Sequence, residues 1–320
     1  MAHAAVNLPQ AAEDKENALA PSATSENELV AFAPAKLNLF LHVTGRRPDR
    51  YHIIQTAFQP LDYHDELRFT PRADPSITLQ CVRDCSLNLI DEETFAALDS
   101  PENLVLRAAH ALQARSPVPR GASIVLRKRI PVGSGLGGGS ADAAATLLAL
   151  NRLWGMGLPV EELAEIGLRL GVDVPVLVHG RAAWGENIGD KLVFMEPAER
   201  WYVVLFPAVA VLTKTIFVSP SLKRDTVPIT LEDFLHGGVD THNDLEPVAA
   251  ALHPPVAEAI KWLSQLSPTR MSGSGSSVFA AFDREEEAKS VLAQVPDQWG
   301  AFVTRGVNKW DHFSGTGCSA

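Results

Sequence analysis

The sequence predicts an α+β chain of two lobes with a ligand cleft between them, and three observations lead there. Strand-like and helical patterns are mixed with hairpins instead of alternating strictly, which argues against a doubly wound parallel sheet. They fall into two groups that part near residues 180 to 195. The 320 residues suffice for two domains of ordinary size. The boundaries read as an extension over residues 1–28, a first lobe over 29–190, a second over 191–310 and a tail over 311–320.

Taken in order, Leu29 to Val43 alternates as a half-buried strand does, and further strands read at Glu66 to Thr70, Ile77 to Val82 and Ser123 to Ile130. Helical spacing runs over Glu102 to Ala114, Ala141 to Trp154 and Val160 to Leu170, the last after a Gly-Leu-Pro start signal. The second group begins with strands at Leu192 to Met195 and Trp201 to Phe206. Helices follow at Leu245 to Leu252, Val256 to Gln265 and Glu285 to Gln294, with strands at Ser277 to Phe282 and Gly300 to Gly306.

A formal net charge of -10 argues against a general nucleic-acid surface, so any anionic ligand must be held by a local site. No apolar run approaches the roughly 20 residues that span a bilayer, and no membrane partner is expected. Residues 1–28 carry Glu13, Asp14, Glu16, Glu26 and Glu28 among small residues, which reads as a disordered extension and not as a targeting peptide. Cys81, Cys85 and Cys318 make no disulfide framework, and reduced structural thiols in a cytoplasmic protein are expected.

The run Pro131-Val-Gly-Ser-Gly-Leu-Gly-Gly-Gly-Ser140 precedes the helix-prone Ala141-Asp-Ala-Ala-Ala. Glycines admit a ligand close to the backbone amides, and a helix start adds unpaired N–H groups and partial positive charge. Together they favour an anion, above all a phosphate. The lysine of a P-loop is missing, since Ser140 follows Gly139. Gly133, Gly135 and Gly138 do fit the dinucleotide pattern G-x-G-x-x-G, but the acidic residues at the required distance, Glu161 and Glu162, sit in a helical pattern.

In the first strand, alternation puts Lys36, Asn38 and Phe40 on one face and Leu37, Leu39 and Leu41 on the other, so Lys36 and Asn38 could face a cleft. A surface lysine and a satisfied strand asparagine are the plain alternatives. Asp173 lies between Leu170-Gly-Val172 and Val174-Pro-Val-Leu-Val178, where an isolated carboxylate is costly. A helix N-cap would explain it equally well.

Pro34-Ala-Lys-Leu-Asn-Leu39, the loop over 131–144, Gly171-Val-Asp-Val-Pro175 and Ser272-Gly-Ser-Gly-Ser-Ser277 resemble, in order and spacing, the motifs of the GHMP small-molecule kinases. Tyr51-His52, Leu61-Asp-Tyr63, Pro101-Glu-Asn-Leu104 and Arg270-Met-Ser-Gly-Ser-Gly275 extend the likeness to the branch that phosphorylates a cytidine diphosphate-linked methylerythritol in the non-mevalonate isoprenoid route. The resemblance implies a two-domain GHMP fold with ATP and Mg2+ as cofactors and a small-molecule cytidyl diphosphate substrate. It gives Asp173 the catalytic-base role with Lys36 beside it. Gly133, Gly135, Gly137, Gly138, Gly139 and Ser140 become the phosphate cradle, and Asn103 lies near the adenine.

By the same resemblance Asn38, Tyr51, His52, Thr213, Phe217, Gly273, Ser274 and Gly275 bind substrate, with Phe217 stacking on the base. Asn243 and Asp244 match a family position without an independent role. Two departures stand out: Arg50 replaces the usual glycine of Asp-Gly-Tyr-His, and Leu212-Thr-Lys-Thr215 replaces a Pro-Thr context. The remaining alternatives are a GHMP kinase for homoserine, mevalonate or another alcohol, a dinucleotide oxidoreductase, and a catalytically silent sensor on the same fold.

Overall fold

The structure, a computed structural model, describes residues 28–84, 92–118 and 120–317. Cys85, Cys318 and residues 1–27 of the expected extension lie outside the described residues. Glu28, the first described residue, pairs with Arg68 at 3.1 Å.

The first sheet is built on two long strands, β1 (Leu29–Arg46) and β2 (His52–Arg72), paired antiparallel along their whole length. The far edge of β2 takes β4 (Gly121–Lys128) and then β5 (Ala183–Glu186), with β3 (Ile77–Arg83) beyond β4 and β6 (Lys191–Phe194) beyond β5. α1 (Glu92–Ala96) follows the sheet's edge strand β3, and α2 (Leu104–Gln113), α3 (Gly138–Leu153), α4 (Val160–Leu168) and α5 (Val174–His179) cover one face. Ala141, Ala144 and Leu147 of α3 pack among Val105, Leu112 and Val176 to form the first core. Small residues on α3 permit that close packing from several sides.

The strand at 191–194, expected to open the second lobe, belongs to this first sheet. Asn187 and Gly189 take positive φ, and the chain turns back there as a hairpin with β5. The second sheet begins with β7 (Trp201–Phe206) and has the order β10-β7-β9-β8, all antiparallel, with β8 (Thr269–Met271), β9 (Val278–Phe282) and β10 (Gly300–Arg305). Its helices are α6 (Thr213–Val218), α7 (Leu231–Leu235), α8 (Glu246–Leu252), α9 (Pro254–Leu263) and α10 (Glu285–Leu292).

A third apolar cluster joins the two sheets: Leu37, Leu61 and Tyr63 from the first meet Tyr202, Val204 and Phe302 from the second. The rings of Tyr63 and Phe302 stack at 3.9 Å. The segment expected as a tail is also tied down. Trp310 and His312 are buried, and β11 (Trp310–Asp311) precedes β12 (Thr316–Gly317) in a small hairpin. Phe32 donates its N–H to the His312 carbonyl, and Trp310 donates to that of Gly180. Burial of two aromatic rings accounts for the attachment. Among the described residues no helix is long and apolar enough to cross a membrane.

Candidate active site

Lys36 reaches the cleft because β1 is irregular there, with register shifts between Pro34 and Lys36 and between Asn38 and Leu41. The second shift corrects the simple alternation. Phe40 does not share the face of Lys36 and Asn38; it turns into an apolar cluster with Trp184 and Phe234, at ring distances of 5.3 and 5.2 Å. A bulge re-aims side chains in this way because it inserts an unpaired residue into one strand. Lys36 and Asn38 remain lining the cleft.

The Lys36 ammonium, with a side chain only 4% exposed, donates to Asn38 Oδ1 at 2.5 Å and Gly135 O at 3.1 Å, and pairs with Asp173 Oδ2 at 3.2 Å. Asn38 Nδ2 donates to Thr56 Oγ1 at 2.9 Å, and that hydroxyl donates to Phe40 O. Asp173 occupies the N-cap position of α5 yet its carboxylate caps nothing. It is left 26% exposed against Lys36.

Between β4 and α3 the glycine loop turns through positive φ at Gly133, Gly135 and Gly137. At Gly135 a Cβ would lie 2.3 Å from the Ser272 carbonyl oxygen, and at Gly137 it would lie 2.9 Å from Lys36 Cε. Gly137 is the N-cap of α3, while Gly138, Gly139 and Ser140 form its first turn. Ser140 thus lies inside the helix and is not its N-cap. Its hydroxyl lines the cleft and has no protein partner among the described residues. Those unpaired amides and that hydroxyl are what a phosphate needs.

Beneath the loop lies a buried charge cluster that sequence reasoning missed. Lys128 donates to Asp65 Oδ2 and to Asp142 Oδ2. Asp65 also accepts the N–H groups of Arg129 and Ile130, whereas Asp142 Oδ1 has no partner among the described residues. Burial and the neighbouring Asp65 hold the Asp142 carboxyl well above the usual carboxylate range, against the pull of Lys128.

The turn between β8 and β9 locks onto the loop. Ser272 Oγ donates to Gly135 O at 3.0 Å and accepts from Asn38 N at 3.2 Å, and Ser277 N donates to Ser134 O at 2.9 Å. Asn243 supplies the role its sequence position lacked: its amide nitrogen donates to Met271 O and Gly273 O, both at 2.8 Å. Asp244 accepts from Val43 N at 2.6 Å. Gly273, Ser274 and Gly275 line the cleft, where Ser274 Oγ lies 2.7 Å from Thr213 Oγ1.

The cleft encloses about 1130 Å³. Its far end is lined by Tyr51, His52, Thr213 and Phe217, and its other side by Asn103. The Asn103 amide caps α2, accepting from Val105 N at 2.9 Å and donating to Leu98 O at 2.7 Å. All the residues expected at the site thus line one chamber. The dinucleotide alternative falls on topology, because β4 is antiparallel to β2 and Glu161 and Glu162 occupy the first turn of α4.

Residues 103–181 match the model of the GHMP kinases N terminal domain, and residues 231–301 match that of the GHMP kinases C terminal region. A 4-diphosphocytidyl-2-C-methyl-D-erythritol kinase of Nitrosococcus oceani is 47% identical over 289 residues, covering 89% of this chain and 98% of that protein. The enzyme of that name from Shewanella loihica is 44% identical, covering 89% and 96%. The chain belongs to this family of GHMP kinases. A crystal structure of 4-(cytidine 5'-diphospho)-2C-methyl-D-erythritol kinase superposes with a TM-score of 0.69 at 30% identity, covering 87% of this chain and 99% of that one. Homoserine kinase from Cytophaga hutchinsonii, at 18% identity and a TM-score of 0.64, shares the fold.

The two departures from the usual GHMP kinase wording both fall at the far end of the cleft. Arg50 sits at φ 73, in the left-handed region where a glycine is at ease. Leu212, 72% exposed, precedes α6.

Proposed function

We propose that this chain transfers the γ-phosphoryl group of ATP to the 2-hydroxyl of 4-diphosphocytidyl-2-C-methyl-D-erythritol. The observation that carries the reading is the Lys36 and Asp173 pair, 3.2 Å apart, on the wall of the chamber that the glycine loop also lines. In this reading the first lobe, with its glycine loop, holds the nucleotide and the second completes the substrate end. Asp173 orients the alcohol and takes its proton late, which suits a loose transition state that chiefly needs alignment and charge stabilisation. Lys36, held by Asn38 and Gly135, fixes the carboxylate and offsets developing charge.

Among the described residues no cluster of three or more acidic, histidine or cysteine side chains is placed for a metal. A magnesium ion bound mainly through substrate phosphates and water needs no such cluster. Ser140 Oγ is the protein group offered to it, and the ion would supply charge neutralisation at the phosphates. Cytidine is assigned to Tyr51, His52, Thr213 and Phe217, and adenine to the side of Asn103.

The test is ADP release by purified protein with ATP and magnesium, comparing the cytidyl alcohol with homoserine and mevalonate. Turnover confined to the cytidyl alcohol is expected; preference for another alcohol would replace the substrate while keeping the kinase.

A further inference from the structure

Arg224 belongs to no motif, yet its guanidinium bonds two residues that line the far end of the cleft, His52 and Phe217. Nη1 donates to Leu222 O at 2.8 Å, and Nη2 donates to Phe217 O at 3.1 Å and Ser219 O at 2.7 Å. Its Nε reaches across to Nε2 of His52 at 3.0 Å. A guanidinium has donors only and cannot be deprotonated in a protein, so His52 Nε2 must be the lone-pair nitrogen. The single proton of the ring therefore sits on Nδ1.

That ring lies 4.9 Å from Phe217, tilted by 33°, and both side chains line the cleft. Among the described residues Nδ1 has no protein partner, which leaves its N–H for a ligand. Burial, then Arg224 and Arg46, hold the imidazole below its usual range. The other charged groups at this end of the chamber are Asp49, Arg50 and Lys214.

We propose that Arg224 is a positioning residue for cytidine: it fixes His52 as the Nδ1–H tautomer and against Phe217, so that the ring presents a donor to the N3 and O2 edge of the base. This rests on the cytidine reading of that end of the cleft. Arg224 touches no reacting atom, and its effect should appear in binding of the cytidyl half alone. A second copy of the same logic is visible in the backbone, because the arginine that orients His52 also ties down the α6 carbonyl of Phe217. One side chain thus sets the relative placement of both rings.

The experiment combines nitrogen-15 NMR of the histidine rings with titration of CDP and with kinetics, on wild type, Arg224→Met, Arg224→Lys and Phe217→Ala. Wild type should show His52 protonated at Nδ1 and bare at Nε2. Arg224→Met should lose that signature, move the His52 titration up toward the ordinary imidazole range, and weaken CDP about tenfold, which is about 1.4 kcal/mol. The KM for the cytidyl alcohol should rise by a similar factor with kcat and the KM for ATP unchanged, and Arg224→Lys should restore part of the loss.

An Nε2-protonated ring in wild type, which needs no variant to detect, overturns the proposal. So does unchanged CDP affinity in Arg224→Met when Phe217→Ala has lost it. If wild type turns over yet neither variant alters CDP binding, it is the cytidine reading of the pocket that fails.

Discussion

The two ends of the cleft are built differently. At the phosphate end Lys36, Asn38, Ser272 and Asn243 are buried and joined by hydrogen bonds that link β1, the glycine loop and the turn after β8. At the base end Tyr51 is 60% exposed, Leu212 and Val218 stand out from the surface, and Arg50 occupies a left-handed conformation. Phosphoryl transfer depends on donors fixed before the reaction, and a network in which each polar group has a partner supplies that rigidity. Stacking on a base is sequence-tolerant, and exposed rings can provide it. Both departures from the family wording fall on the second kind of wall.

The sharpest way to break this comparison is at the reacting pair. Asp173→Asn removes the carboxylate that faces Lys36 but keeps its size, so ATP binding should persist while ADP release falls by about 10² to 10⁴-fold. Near-normal turnover would show that the rigid wall does not deliver the acceptor. Next comes Gly135→Ala. The new methyl group meets two backbone oxygens, Ser272 O at 2.3 Å and Gly275 O at 2.9 Å, at a φ of +78°. Backbone cannot step aside as a side chain can, so a stability loss of about 2–4 kcal/mol and weakened ATP binding are expected. Gly237→Ala is the control, since its φ of +67° is similar but nothing lies within 4 Å. Equal drops in melting temperature for the two would mean that the loop contacts carry no weight.

Acid should loosen the packing around His42, beside Phe40 and His242. Burial and the neighbouring His242 push His42 down to about 4, and its Nδ1 has no partner among the described residues. The folded-state value lies below the unfolded one, near 6.5. The stability it contributes is therefore fully present above about pH 6.5 and is lost as pH falls toward 4. A loss on the order of 2 kcal/mol is expected across that window, and urea unfolding of His42→Phe beside wild type would check it. A variant with the same acid slope would remove His42 as the cause.

Much of this was legible in the residues, and the contrast between the ends explains what was not. The glycine loop announced itself because positive φ and close backbone approach demand glycine, and the strand and helix around it have strong periodicity. Lys36 and Asp173 were identified as a pair by motif order, which spacing alone could not do. The supporting shell was silent. Asp65, Thr56 and Asn243 are ordinary polar residues in strands and loops, and only tertiary pairing across 18 to 63 residues of chain gives them a role. Arg224 was equally hidden, because a surface-like Ser-Leu-Lys-Arg-Asp stretch carries no sign that its guanidinium turns inward. The first half of β2 and the strand β5 were missed for the opposite reason. Their residues are buried on both faces, so the alternation that marks a half-buried strand is absent.

The smallest expected effect concerns Arg50. Its backbone is held at φ 73 by the turn in which Arg50 N donates to Arg47 O and Arg46 Nε donates to Arg50 O. A side chain there costs about 1–2 kcal/mol, and Arg50→Gly would relieve it. Glycine also gains freedom in the unfolded chain, which takes back about 0.5–1 kcal/mol. The net gain should be under about 1 kcal/mol, visible as a rise in melting temperature of a few degrees at most. Both backbone bonds survive the change, so the turn should keep its shape and deliver Tyr51 and His52 as before. The KM for the cytidyl alcohol should then move less than threefold if, as proposed, the base-end wall works by stacking and by the His52 donor rather than by this exposed cation. A tenfold rise would mean that Arg50 grips the anionic substrate itself, and the base end would then depend on fixed charge as the phosphate end does.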